Sequence, residues 1–144
     1  MRPALLTASE LEQRLSAEFP EAFNPNVGLA IREVCYGRCR VHLPLQRNSL
    51  RPGGTISGPV LMMLADVAMY VALLGSIGWR PLAVTTSLNV NFLRKPAPRP
   101  LEAECRILKL GKRLAVGDIG IRSEGEDDLV AHATSTYSIP GEVN

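Results

Sequence analysis

The stretch SGPVLMMLADVAMYVALL, residues 57–74, is apolar almost throughout and contains a single charged residue, Asp66. Ser57 is a favourable N-cap residue and Pro59 suits the first helical turn, so the stretch predicts a long helix that begins near residue 58. An ionised carboxylate among apolar side chains is unfavourable by several kcal/mol or more unless it is paired. The position of Asp66 therefore requires either a function or a dedicated structural partner.

A helix that is apolar on all sides either spans a membrane or forms the buried centre of a globular fold. Residues 60–79 are nearly long enough to cross a bilayer, but Asp66 lies within them and two glycines interrupt their end. The whole chain of 144 residues is 46% hydrophobic and 21% charged, as in one globular domain. We therefore predict a buried helix and no membrane partner.

The charge and the cysteines exclude further classes of protein. The net charge is +2 and no basic run occurs, which argues against a nucleic-acid partner. Cys35, Cys39 and Cys105 are odd in number and no histidine cluster joins them, so reduced thiols and no metal site are expected. The start, MRPALLTASELEQRL, has no long apolar segment of the kind found in signal peptides. A cytoplasmic location is the resulting prediction.

Shorter elements surround the long helix. Thr7 or Ser9 can cap a helix over residues 8–19, and two strands are predicted near 27–34 and 36–43, followed by a Pro- and Gly-rich loop over 44–56. After the long helix, alternation of apolar and polar residues predicts four strands, in LAVTTSLNVNFLRK (82–95), LEAECRILKL (101–110), LAVGDIGIRS (114–123) and LVAHATSTYSI (129–139).

The first of these four strands has two predicted faces. The apolar face consists of Val84, Leu88, Val90 and Phe92. The polar face consists of Thr85, Ser87, Asn89 and Asn91.

These elements predict an α+β fold in which a curved antiparallel sheet wraps around the long helix. We expect a single domain over residues 1–144, with an N-terminal helical segment over 1–24 and a core over 25–140. One sheet leaves an open edge, and closure by a second copy of the chain is the simplest remedy.

This pattern resembles the hotdog fold and, within it, the PaaI-like acyl-CoA thioesterases of the 4-hydroxybenzoyl-CoA thioesterase-like superfamily. The family motif is His-Gly-Gly followed, after six residues, by an Asp on the central helix; here the triplet is Ser57-Gly58-Pro59, and Asp66 keeps the spacing. Two triplet positions differ from the motif. The stretches that carry the resemblance are GGTISGPVLMMLAD (53–66), AVTTSLNVNFLRKP (83–96) and LKLGKRLAVGDIGIRS (108–123).

The resemblance implies hydrolysis of acyl-coenzyme A thioesters without a metal or redox cofactor, at a site shared by two subunits. It makes Asp66 the general base or nucleophile, the Gly58 backbone N–H the donor to the carbonyl oxygen, and Thr85 the hydroxyl that orients water, with Thr86 as the alternative. The loop asparagine of the family has no clean counterpart. Arg51 lies at its spacing, and Asn48 fits only with an insertion.

The residues themselves fit this chemistry. A helix N-terminus offers free N–H groups and a positive dipole end to a developing oxyanion, and Gly58 adds no side chain there. Asp66 lies about two helical turns later, ~11 Å along the axis, so one carbonyl cannot touch both within one chain. The spacing therefore favours two antiparallel helices in a homodimer or homotetramer.

The surroundings of Asp66 predict where the substrate binds. Methionine adapts to varied apolar groups, so a short- or medium-chain or aryl acyl group is expected beside Met62, Met63, Met69 and Tyr70. Ser57 lies at the position of the motif histidine. The coenzyme A phosphates require basic residues, for which the candidates are Arg51, Arg94, Lys95, Lys112 and Arg113.

Other activities stay open or are disfavoured by the same residues. A dehydratase of this fold would need a histidine where Ser57 lies, and no GxSxG motif indicates a serine hydrolase. The changed triplet keeps a second hypothesis open, that of a non-catalytic hotdog protein which binds an acyl or aryl ligand.

Overall fold

The order of helices and strands agrees with the order predicted from the sequence. A computed structural model describes residues 1–46 and 50–141 of the protein. These residues form α1 (Ala8–Glu18), β1 (Ala30–Cys35), β2 (Arg38–Leu43), α2 (Gly58–Ile77), β3 (Val84–Phe92), β4 (Leu101–Leu110), β5 (Leu114–Ser123) and β6 (Leu129–Ser138).

Helix α1 begins at a capping box, which decides between the two predicted caps in favour of Thr7. The Thr7 hydroxyl accepts the Glu10 N–H at 3.1 Å, and the Glu10 carboxylate accepts the Thr7 N–H at 3.2 Å. Leu11 and Leu15, one turn apart, are both fully buried and form the stripe through which α1 packs on the fold.

Helix α2 is the centre of the core. It is long and apolar enough to cross a membrane by length and composition, yet 72% of its most apolar 18-residue window is buried inside the fold. The helix ends where the Gly78 N–H donates to the Leu74 carbonyl at 2.9 Å. Burial on most sides is what a helix without a polar face requires.

The six strands form one antiparallel sheet in the order β1-β2-β4-β5-β6-β3, which curves around α2. This confirms the predicted α+β architecture of a long helix wrapped by a curved sheet. Strands β1 and β3 are the edges. Along β3 the side chains of Val84 and Phe92 are 57% and 53% exposed, so this edge presents apolar surface as well as unpaired backbone groups.

A β-bulge at Thr86 interrupts the predicted alternation of β3. Thr85 pairs with Tyr137 of β6, whereas Ser87 pairs with the adjacent Thr136, so the chain advances two residues on β3 for one on β6. Thr85 therefore shares the helix-facing side with Tyr137, and Val84 lies on the opposite side. The prediction that Thr85 lies on one face with Ser87, Asn89 and Asn91 is wrong, because it assumed strict alternation and the extra residue at Thr86 reverses the face of Thr85.

The three cysteines are buried free thiols, as predicted. The Cys39 thiol donates to the Ala68 carbonyl of α2 at 3.1 Å, and the Cys105 sulfur lies 3.8 Å from the Met69 sulfur. Burial raises the pKa of Cys105 to about 12 and the pKa of Cys39 well above its ordinary value. Cys39 and Cys105 are therefore inert core groups rather than nucleophiles.

Candidate active site

Two hydroxyl groups hold the carboxylate of Asp66. Thr85 Oγ1 donates to Asp66 Oδ1 at 2.6 Å, and the Tyr137 hydroxyl lies 3.0 Å from the same oxygen and 3.3 Å from the Asp66 backbone carbonyl. Three elements, α2, β3 and β6, thus converge on one carboxylate oxygen. Within residues 1–46 and 50–141 no hydrogen bond reaches the other oxygen, Oδ2, which can therefore act on a bound molecule.

Tyr137 is the contact that the sequence analysis missed. The residue is 4% exposed, and its ring stacks on Tyr70 at a centroid distance of 5.9 Å and an interplanar angle of 22°. Burial, and then the charge of Asp66, raise the pKa of Tyr137, so its hydroxyl stays protonated as a donor. Its inward position in an alternating strand was a usable signal, because a buried tyrosine hydroxyl needs a partner.

A cavity of about 420 Å³ opens beside Asp66 and Thr85. Four aromatic rings line it, and the rings of Phe19 and Tyr70 meet edge to face at a centroid distance of 6.2 Å and an interplanar angle of 83°. Such a volume, with apolar walls and few polar groups, is typical of a small-molecule site. The polar lining residues are Asp66, Thr85 and the exposed Glu18 of α1. The apolar residues of the wall are Leu15, Phe19, Tyr70, Trp79, Pro81, Leu82, Ala83, Val84 and Tyr137.

The predicted oxyanion donor lies at the other end of β3. Gly58 is the first residue of α2, so its N–H has no acceptor within the helix. A Cβ built on Gly58 would lie 3.5 Å from the ring of Phe92. Phe92 is the last residue of β3, at the end of the strand opposite to Thr85. Ser57 has the N-cap backbone conformation, but its side chain makes no capping hydrogen bond. Gly58 and Asp66 thus flank opposite ends of one exposed edge strand.

The predicted methionines do not line the cavity, although the predicted Tyr70 does. Met69 is fully buried and packs between α2 and the sheet beside Cys105. Met63 packs against the core, and Met62 is 43% exposed on the N-terminal half of α2. Position on the helix was sufficient to place Tyr70 near Asp66, but it did not show which side faces the sheet.

The predicted basic residues form two groups that one chain keeps apart. Arg94 and Lys95 follow the Phe92 end of β3, where Arg94 pairs with Asp128 at 3.3 Å. Lys112 and Arg113 lie in the turn between β4 and β5, at the end of the sheet near Thr85. Of the residues that the structure describes, none of these four lines the cavity.

The two loop candidates have different outcomes. Arg51 is exposed in a tight turn, in which its N–H donates to the Thr55 carbonyl at 2.7 Å and its carbonyl accepts from Gly54 at 2.9 Å. Asn48 lies outside the described residues.

Among the described residues, three side chains outside the cavity are close enough together to hold a metal ion. Nitrogen and carboxylate oxygen atoms of His42, Glu102 and Glu124 lie within 4.8 Å of one another, and His42 Nδ1 lies 3.0 Å from Glu102 Oε1. The alternation of β2 places His42 on the face of the sheet opposite to α2. The His42–Glu102 hydrogen bond accounts for this pairing without an ion, and the group is remote from Asp66.

Comparison with known proteins identifies relatives of this arrangement. Residues 53–130, more than half of the chain, match the sequence model of a family described as the thioesterase superfamily. A protein of Saccharolobus solfataricus, named as a predicted esterase, is 31% identical over 145 residues, which cover 97% of this chain and 90% of that protein.

Solved structures agree with the sequence matches. A protein of Silicibacter sp. TM1040, named as a predicted thioesterase, is 41% identical with a TM-score of 0.86 over 96% of this chain and 94% of that chain. A mutant of the phenylacetic acid degradation protein PaaI from Thermus thermophilus is 29% identical with a TM-score of 0.70, over 85% of this chain and 99% of that chain. These similarities confirm the hotdog fold and the PaaI-like resemblance.

Proposed function

The chain belongs to the thioesterase superfamily, and we propose that it hydrolyses acyl-coenzyme A thioesters at a site formed by Asp66 of one copy and Gly58 of a second. The observation that carries the proposal is the carboxylate of Asp66, held at Oδ1 by Thr85 at 2.6 Å and open at Oδ2 beside an apolar cavity. The acyl group occupies this cavity and the coenzyme A extends toward solvent.

In the proposed reaction Asp66 Oδ2 takes a proton from a water molecule, whose oxygen attacks the thioester carbonyl. The tetrahedral intermediate collapses with cleavage of the C–S bond, and the departing thiolate takes the proton that Asp66 removed from water, which gives free coenzyme A and the carboxylic acid. Direct attack by Asp66, followed by hydrolysis of the anhydride, is the alternative route. In a single turnover in ¹⁸O-water, product without ¹⁸O identifies direct attack, because its new oxygen then comes from Asp66 through hydrolysis of the anhydride at the Asp66 carboxyl carbon.

Edge strand β3 supports the shared site. Antiparallel pairing of β3 with its copy would bring the Thr85 end of one strand beside the Phe92 end of the other. Asp66 lies beside the Thr85 end of β3 and Gly58 lies beside the Phe92 end. In the paired strands each Asp66 carboxylate would therefore face the partner's Gly58. The exposed Val84 and Phe92 would be covered by the same pairing.

The same arrangement supplies the other polar groups that the reaction needs. The free N–H of the partner's Gly58, at a helix N-terminus, would donate to the oxyanion, an interaction worth on the order of 3 kcal/mol in hydrolases. The partner's Arg94 and the partner's Lys95 would approach Lys112 and Arg113 around one cavity mouth. Four cations there suit the phosphates of coenzyme A.

The first experiment measures thiol release from short, medium, long and aryl acyl-coenzyme A esters. We expect release by the wild type and its loss in Asp66→Asn, with the fold retained by circular dichroism. Asp127→Asn, which removes an exposed carboxylate from the turn before β6, is the matched control and should keep full activity. Release by Asp66→Asn at the wild-type rate would contradict the proposal.

The shared site has a separate test by mixing two inactive variants. Asp66→Asn and Gly58→Val each inactivate both sites of their own homodimers. After subunit exchange, half of the dimers are mixed and each carries one intact site, so about a quarter of wild-type activity should return. No recovery in mixtures shown to have exchanged subunits would place Asp66 and its oxyanion donor in one chain.

A second candidate function, acyl or aryl binding without hydrolysis, is favoured by the altered triplet. Pro59 has no N–H, so the helix start has one donor fewer than the family motif supplies. Under this alternative the protein binds acyl-coenzyme A, and neither the wild type nor Asp66→Asn releases thiol.

A further inference from the structure

Helix α1 forms part of the cavity although it lies outside residues 53–130, which match the family. Leu15 of α1 and Phe19, its C-cap residue, both line the space beside Asp66. The helix is firmly docked, since the Glu12 carboxylate accepts the Ile31 N–H of β1 at 2.6 Å. This part of the wall therefore comes from an element that the family match does not include.

A continuous line of side chains connects the proposed catalytic carboxylate to α1. Tyr137 contacts Asp66, Tyr70 stacks on Tyr137 at 5.9 Å, and the rings of Phe19 and Tyr70 meet edge to face at 6.2 Å. Leu15 is fully buried and lies among the residues that line the cavity. An acyl tail that runs from Asp66 along these rings would therefore meet Leu15 and Phe19.

We propose that α1 is the end wall of the acyl site and that Leu15 and Phe19 set the upper limit on the length of the acyl group. The inference rests on the proposed function only for the position of the thioester at Asp66. It assigns to the site apolar acyl groups of limited length, aliphatic or aryl, and excludes long-chain fatty acyl groups while α1 stays docked.

The test compares two substitutions on one helix. Leu15→Ala and Leu11→Ala each remove a fully buried leucine from the same stripe of α1, but only Leu15 lines the cavity. We expect Leu15→Ala to raise the ratio of kcat/KM for long over short acyl-coenzyme A esters about tenfold or more. Leu11→Ala should lose similar stability and keep the wild-type ratio.

A second pair of variants guards against a misfolded Leu15→Ala. Phe19→Leu should shift the preference toward longer acyl groups, and Phe19→Trp should shift it toward shorter ones. Opposite shifts are expected only if the side chain at position 19 bounds the acyl group. Unchanged ratios in the Leu15 and Phe19 variants, or an equal shift in Leu11→Ala, would overturn the proposal.

Binding can be measured without hydrolysis, which separates this inference from the proposed function. Trp79 is the single tryptophan of the chain and lines the cavity, so its fluorescence reports occupancy. Titration with free carboxylic acids of increasing length should show a limit that moves in Leu15→Ala and not in Leu11→Ala. If the wild type releases no thiol but the limit moves in this way, the proposed hydrolysis fails and the end wall stands.

Discussion

The Thr85 hydroxyl reaches Oδ1 of Asp66 at 2.6 Å because Thr86 forms a β-bulge between Thr85 and Ser87. Without the additional residue, pairing with β6 would direct the Thr85 side chain to the face of the sheet opposite to α2. The irregularity thus turns a polar residue toward a carboxylate that would otherwise lack this donor.

This relationship predicts different effects for two adjacent threonines. Thr85→Val removes a hydrogen bond to a charged group while it keeps the shape of the side chain, and kcat should fall about 10- to 100-fold. Thr86→Val is the matched control, because the Thr86 hydroxyl donates only to the Thr136 carbonyl at 3.2 Å. An equal loss in Thr86→Val would contradict the role of Thr85.

Tyr137→Phe should lower kcat about tenfold. The reason is that the Tyr137 hydroxyl, 3.0 Å from Asp66 Oδ1, helps to hold the carboxylate in its reactive position. Tyr70→Phe is the control, since the Tyr70 hydroxyl donates to the Pro81 carbonyl at 2.8 Å rather than to Asp66. An equal loss of kcat in Tyr70→Phe would show that general repacking, and not the lost donor to Asp66, causes the effect.

The buried thiol of Cys105 predicts a loss of stability in alkali. Its pKa is about 12 in the fold against an ordinary value of 9.0, so above pH 9 the unfolded chain releases this proton first. The free energy of unfolding should therefore fall by about 1.4 kcal/mol per pH unit on account of this group alone, up to about pH 12. Urea denaturation of Cys105→Ala should show a correspondingly shallower pH dependence, and an unchanged slope would refute the assignment.

Gly117 is required by its contact with Met69. A Cβ at position 117 would overlap the Met69 sulfur, so Gly117→Ala should lower the free energy of unfolding by about 1–3 kcal/mol. Combined with Met69→Ala the two losses should be less than additive, because the second change removes the clash. Gly58→Ala, whose Cβ meets Phe92 at an ordinary 3.5 Å, should change stability by less than about 1 kcal/mol. Additive losses in the double variant would argue against the steric cause.

The long helix and its carboxylate could be predicted from the sequence, because an apolar run with a single charge has few physical explanations. Thr85 was assigned through the family resemblance, and the expected alternation would have directed it away from Asp66. A bulge has no sequence signature as strong as alternation, since it depends on how two strands pair. Tyr137 was missed for a related reason: it lies 71 residues from Asp66, and only the strand order brings the two together.

The sequence predicted which side chains are buried near the cavity, but not which of them line it. Periodicity placed Leu11 and Leu15 on one buried stripe of α1, but it did not show which part of the fold they contact. In the same way Met69 and Tyr70 are neighbours on α2, yet one packs toward the sheet and the other lines the cavity. Local pattern determines burial, whereas the partner of a buried side chain depends on tertiary packing.

The buried thiols also make the opening of this fold measurable under native conditions. Cys35 at the end of edge strand β1 is 8% exposed, whereas Cys105 on interior strand β4 is fully buried. A thiol-specific reagent should therefore label Cys35 through fraying of the sheet edge and Cys105 only when the sheet separates from α2. The logarithm of the ratio of the two labelling rates gives the free energy that separates local from global unfolding, without denaturant.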